Sequence, residues 1–157
     1  MSFTFKVETR KLDSMIKRLD KLNGTQVDVG FFEEDAYGPE NGNLPVAQVA
    51  YYNEYGTSLN PTRPFMQETF SEGINQKLLG KAMMKVFQSA IMNGRQVQRL
   101  LRELGSGAGD MLRDTILTYP GSNSAETIRR KGRNSPLRDT EFMLNSVKFQ
   151  ISKGSIR

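Results

Sequence analysis

The chain contains no cysteine, no histidine and no tryptophan. Without thiols it forms no disulfide and offers no thiolate nucleophile. Without imidazole it has no histidine general base, no Ser-His-Asp triad and no Cys/His zinc site. Long apolar runs are missing as well, since nothing approaches the roughly 18 consecutive apolar residues of a membrane span. The opening residues, Met1 to Lys6, have neither the basic nor the apolar region of a signal peptide, which predicts a protein that stays in the cytoplasm that made it.

What is present is a 157-residue chain with 37% hydrophobic and 25% charged residues, enough for one domain with a modest core. Its net charge of +5 is unevenly placed. Residues 1–70 carry 7 Lys/Arg against 10 Asp/Glu (net −3), and residues 71–157 carry 15 against 7 (net +8). Such polarity suits a subunit that meets copies of itself head to tail, acidic face to basic face. It equally suits a basic segment lying on phosphate.

Periodicity predicts an α+β fold: a small, mainly antiparallel sheet packed by helices, with a long helical segment and a basic loop before a C-terminal strand. Strands are expected near 2–8 (Phe3, Phe5, Val7), 25–32 (Val27, Val29, Phe31) and 146–152 (Val147, Phe149, Ile151), where apolar residues alternate with polar ones. Helices are expected near 10–22, with Thr9 as N-cap and Leu12, Met15, Ile16 and Leu19 on one face, and near 45–55, opened by Pro45 and ended by Gly56. A longer helical unit covers 66–118, where the run Gly105-Ser-Gly-Ala-Gly109 predicts a bend or local break. The acidic stretch 33–44 reads as an exposed, mobile loop with nothing to bury, and 119–138 as a loop or arm, all within a single domain spanning 1–157.

Four segments in order carry a resemblance. They are Val27-Asp-Val-Gly-Phe-Phe32; Pro45-Val-Ala-Gln-Val-Ala50 running into Asn53-Glu-Tyr-Gly-Thr57; Pro61-Thr-Arg-Pro-Phe65; and Thr127-Ile-Arg-Arg-Lys-Gly132 with Pro136-Leu-Arg-Asp-Thr140. In this spacing, followed by a closing strand, the chain resembles the neck and tail-completion proteins (head-tail joining, tail-component, virion morphogenesis) of tailed bacteriophages. The resemblance implies a structural, non-enzymatic virion protein without cofactor or metal, assembled in the host cytoplasm. It would form a homo-oligomeric ring at the head-tail joint, with a hexamer favoured and a dodecamer as alternative, in contact with connector, terminator or tail-tube proteins and with the DNA channel. A tail-terminator ring or a DNA-binding module are the alternatives. The family usually carries a glycine after the Asp-Thr pair, where this chain has Glu141.

Among the motifs, Asn53-Glu-Tyr-Gly-Thr57 is explained locally by Gly56 as a left-handed helix cap. A sharper reading pairs Glu54 with Arg63, aimed back at the helix by the stiff bridge from Pro61 to Pro64 and anchored by Phe65. The basic residues Arg129, Arg130, Lys131, Arg133 and Arg138 form either a solvated charge run, a phosphate contact, or a contact with the acidic Glu33, Glu34 and Asp35 of the next copy. No interleaved aromatics favour nucleic acid. The glycine run lacks a preceding strand and a following Gly-Lys-Ser/Thr, so it predicts no phosphate loop, and Glu33, Glu34 and Asp35 lack calcium-loop spacing.

Overall fold

In a computed structural model that describes residues 9–138 and 140–153, seven α-helices and two strands form an α+β fold. Helix α1 (Arg10–Asp20) precedes strand β1 (Thr25–Gly30), and a 3-10 turn (Pro39–Asn41) precedes α2 (Val46–Tyr55). Helices α3 (Phe65–Ser71), α4 (Gly73–Met92) and α5 (Val97–Thr118) follow, then α6 (Ala125–Lys131), α7 (Phe142–Asn145) and strand β2 (Lys148–Lys153). The strands pair antiparallel with Val27 opposite Ile151 and Val29 opposite Phe149, so the alternating apolar residues of both share one face. The strand expected near 2–8 lies outside the described residues.

Helix α5 is the central element, in contact with α3, α4, α7 and both strands. Its buried residues, Leu101, Gly105, Ala108, Gly109, Leu112 and Ile116, recur at spacings of three and four and so form one stripe. The expected break at the glycine run is absent: α5 is continuous from Val97 to Thr118. The run serves close approach instead. A Cβ on Gly105 would sit 2.7 Å from Cγ of the Phe149 ring, whereas one on Gly107 would meet nothing within 4 Å. Gly105 therefore lets β2 lie flat on α5, and Gly107 has no such role.

The core at the other end of α5 joins Leu112 and Ile116 to Val46, Ala50, Phe65, Leu137, Met143, Leu144 and Val147. Leu137 and Tyr119 belong to the stretch expected to be an arm, which is instead folded onto the domain and contains α6. The acidic loop is tied down as well. Asp35 forms an ion pair with Lys148 (2.7 Å), Ala36 bridges Pro45, and the Tyr37 ring lies 5.0 Å from that of Phe142. The expectation that this loop had nothing to bury failed because Tyr37 packs against the core.

Helix α1 is the most peripheral. None of its residues is buried, and the Thr9 hydroxyl donates to the Asp13 carboxylate rather than capping a backbone amide. Arg18 fastens the helix to α4: its Nε and Nη2 donate to the carbonyls of Ala90 (2.8 Å) and Ile91 (2.7 Å), in the last turn of α4, where a cation complements the helix dipole.

Candidate functional site

The end of α2 and the proline-flanked bridge after it are held by backbone and side-chain bonds together. Gly56 has φ 75° and ψ 172°, a positive φ but with extended ψ, not the left-handed helical cap that the local pattern suggests. A side chain there would be strained by that φ, and its Cβ would lie 2.6 Å from Thr62 Oγ1 and 3.0 Å from the Thr62 nitrogen. The bridge returns on α2 because the Arg63 amide donates to the Asn53 carbonyl (2.7 Å) and the Thr62 hydroxyl to that of Tyr55 (3.2 Å). Pro64 then precedes α3, and Phe65, fully buried, stacks edge-on against Phe31 with ring centroids 6.1 Å apart.

Glu54 does not pair with Arg63. Its buried carboxylate accepts from the amides of Met66 (2.8 Å) and Gln67 (2.9 Å), at the start of α3. Pro64, the residue at the N-cap position, offers no side-chain acceptor, so Glu54 on the neighbouring helix supplies the cap. Two orphan N–H donors thus satisfy the charge that the sharper sequence reading assigns to the guanidinium. Arg63 points elsewhere, donating to Asn53 Oδ1 (3.3 Å) and to Asn123 Oδ1 (3.4 Å). Through Asn123 it links the bridge to the turn before α6, where Asn123 in turn donates its amide to Asn134 Oδ1 (2.9 Å) and Ser124 Oγ caps the Thr127 amide (3.2 Å).

The first three residues of the basic cluster are helical, while Arg133 and Arg138 lie in the loop that follows, as expected. Arg129, Arg130 and Lys131 occupy the last turn of α6, which Gly132 closes at φ 70°. Cations are favoured there by the helix dipole. Lys131 Nζ donates to the Arg138 carbonyl (2.9 Å). Arg133 lies 3.7 Å from the Glu141 carboxylate, and Arg138 makes a close charged hydrogen bond to the same oxygen. Arg133 and Arg138 are therefore engaged within the chain, as is Asp35, while Arg129, Arg130, Glu33 and Glu34 are exposed.

Glu141 itself sits at φ 63°, ψ 6°, a left-handed conformation that glycine adopts without strain and glutamate does not. The hydrogen bond from Arg138, with the positive charges of Arg138 and Arg133, holds its carboxyl below the usual carboxylate range. The ion pairs and the strained backbone thus occur at the same residue. Tyr119, whose hydroxyl donates to Glu68 (3.4 Å), is shifted the other way: burial and the neighbouring Glu68 carboxylate raise its pKa.

Between these elements lies a cleft of about 450 Å³. Its walls include Asn53, Pro61 and Arg63, then Asn123, Thr127 and Arg130, then Leu137, Thr140 and Glu141. Three of the four spaced segments meet there; the fourth, which contains β1, does not line it. Sequence reading missed Asn53 and Asn123, the two amides that receive Arg63. Asn53 lies inside a recognised segment and could have been found there; nothing local marks Asn123. Among the described residues no cluster of acidic side chains is arranged to hold a metal ion. No family model, curated protein or solved structure matches the chain.

Proposed function

We propose that the protein is a structural subunit of a tailed-phage virion that assembles as a ring at the head-tail joint, connecting tail to head and continuing the DNA channel. The observation that carries this reading is the convergence of the spaced segments. Asn53 and Arg63, Thr127 and Arg130, and Leu137 and Thr140 come from three separate stretches of sequence and line one cleft. A set of positions that shapes one unit is expected to gather in space, as the segment 127–140 does with the α2 end and the proline bridge. The polar groups in and around it are largely spent within the chain: Arg63 on two asparagines, Lys131 on the Arg138 carbonyl, and Arg133 and Arg138 on Glu141. That arrangement supports a rigid framework rather than a reacting centre, in keeping with a building block. Six copies are favoured by the resemblance.

The test is electron microscopy of particles assembled without this protein. Separate DNA-filled heads and finished tails are expected. Overlong tails would instead make it a tail terminator, and normal infectious particles would overturn the virion reading.

A further inference from the structure

Two open surfaces of the molecule carry exposed apolar side chains together with charges of opposite sign. The first is the outer face of α4. This 20-residue helix contains three lysines and no acidic residue. With 3.6 residues per turn, Lys77, Lys81 and Lys85 fall on the side opposite the buried Val86 and Ala90, interleaved with Ile74, Met84 and Met92. Those three apolar residues are 60%, 57% and 77% exposed, values that belong to an uncovered face. The second is an open groove of about 670 Å³ between β1, α2 and α3. Phe31, Phe32, Tyr51, Tyr55, Met66 and Phe70 line it, and Asp28 is the exposed charge among them. No lysine or arginine among the described residues lines it, and the exposed Glu33 and Glu34 follow directly on Phe32. None of the three lysines, nor Glu33 or Glu34, is in an ion pair with another described residue.

We propose that the lysine-bearing face of α4 docks into the β1–α2–α3 groove of a second copy of this chain, head to tail. The apolar residues of the helix meet the exposed rings of Tyr51 and Tyr55, whose centroids lie 4.7 Å apart, and the lysines meet Asp28, Glu33 and Glu34. Such a contact joins two different patches, so every copy keeps one helix face and one groove to offer, as a ring requires, with the rotation between copies deciding whether it closes. Apolar burial supplies the affinity, and the opposed charges set the register and exclude helix-to-helix or groove-to-groove pairing. The arrangement as a ring rests on the function proposed above; the contact itself does not.

The test uses the purified full-length chain, with mass measured by light scattering and native mass spectrometry. The wild type is expected to assemble, and to assemble less as salt screens the charges. Lys77→Glu/Lys81→Glu/Lys85→Glu and Asp28→Lys/Glu33→Lys/Glu34→Lys, each shown folded by circular dichroism, are each expected to weaken assembly at least about tenfold. An equimolar mixture of the two is expected to recover it, because each reversed surface finds a complement. Tyr51→Ala/Tyr55→Ala, which alters no charge, is expected to weaken assembly at all salt concentrations. A wild type that stays monomeric, reversed variants that assemble like the wild type, or folded variants whose mixture does not recover would each overturn the proposal. So would loss of duplex DNA binding in the lysine variant with assembly unchanged, which would give the α4 face to nucleic acid. Particles that join normally without the protein would leave this contact standing while removing the virion reading.

Discussion

Around the cleft and at the adjoining α2–α3 junction, Glu54, Arg63, Arg133 and Arg138 each end on a partner in the same chain, whereas on the outer face of α4 Lys77, Lys81 and Lys85 end on none among the described residues. The same contrast holds for apolar groups: Phe65 is fully buried at the start of α3, while Met92 is 77% exposed on α4. Charges that are satisfied internally hold loops in register; charges left open beside apolar side chains are free to select a partner. The cleft side is thus the framework, and the α4 face is the part with interactions still to make.

The comparison can be broken most severely at Glu54. Glu54→Ala leaves the Met66 and Gln67 amides without their acceptor at a buried helix start, with an expected loss of roughly 2–4 kcal/mol of unfolding free energy in urea titration. Combining it with Arg63→Ala should give nearly additive losses, since the two side chains share no bond; strong coupling would restore the ion pair that the geometry denies.

Next in size is the pair of glycines in α5. Gly105→Ala drives a methyl into the Phe149 ring and is expected to cost about 1–3 kcal/mol. Gly107→Ala, with open space around it and helical backbone, is expected to add about 0.4–1 kcal/mol instead. Equal effects at the two positions, measured by thermal unfolding, would show that the glycines do act together as a hinge.

A smaller, pH-dependent effect is expected at Glu141. Its folded-state pKa is lowered, so the ion-pair contribution is present above the ordinary value near 4.5 and is lost as pH falls through the lowered value. Glu141→Gly removes that contribution and relieves the left-handed backbone at every pH. The variant should therefore gain in melting temperature relative to the wild type as pH drops from 7 towards 3. A difference that is independent of pH would mean that the carboxylate contributes nothing. The smallest effect on stability belongs to the α4 face: Lys81→Glu, on an exposed helix surface, should change unfolding free energy by less than about 0.5 kcal/mol while changing assembly.

Periodicity in the sequence placed α1, α2, β1 and β2 within two or three residues, because each carries a complete apolar pattern of its own and needs no knowledge of what it packs on. It misread the glycine run because a glycine that breaks a helix and a glycine that admits a neighbouring ring look identical until Phe149 is placed beside Gly105. It misread Glu54 for a related reason: carboxylate and guanidinium attract at sequence level, but orphan amides at a helix start carry no residue-type signature and become visible only when α3 is set against α2.

The sequence by itself thus determined the absence of thiol and imidazole chemistry, the polarised charge and the α+β class, all of which depend on residue identity and short-range spacing. Tertiary structure alone decided which charges are already paired, that the segment after α5 folds back onto the core, that Glu141 occupies a glycine's conformation, and that an acidic aromatic groove lies open between β1, α2 and α3. Those depend on groups far apart in the chain meeting in space, where burial and the competition between backbone and side-chain partners determine which contact forms.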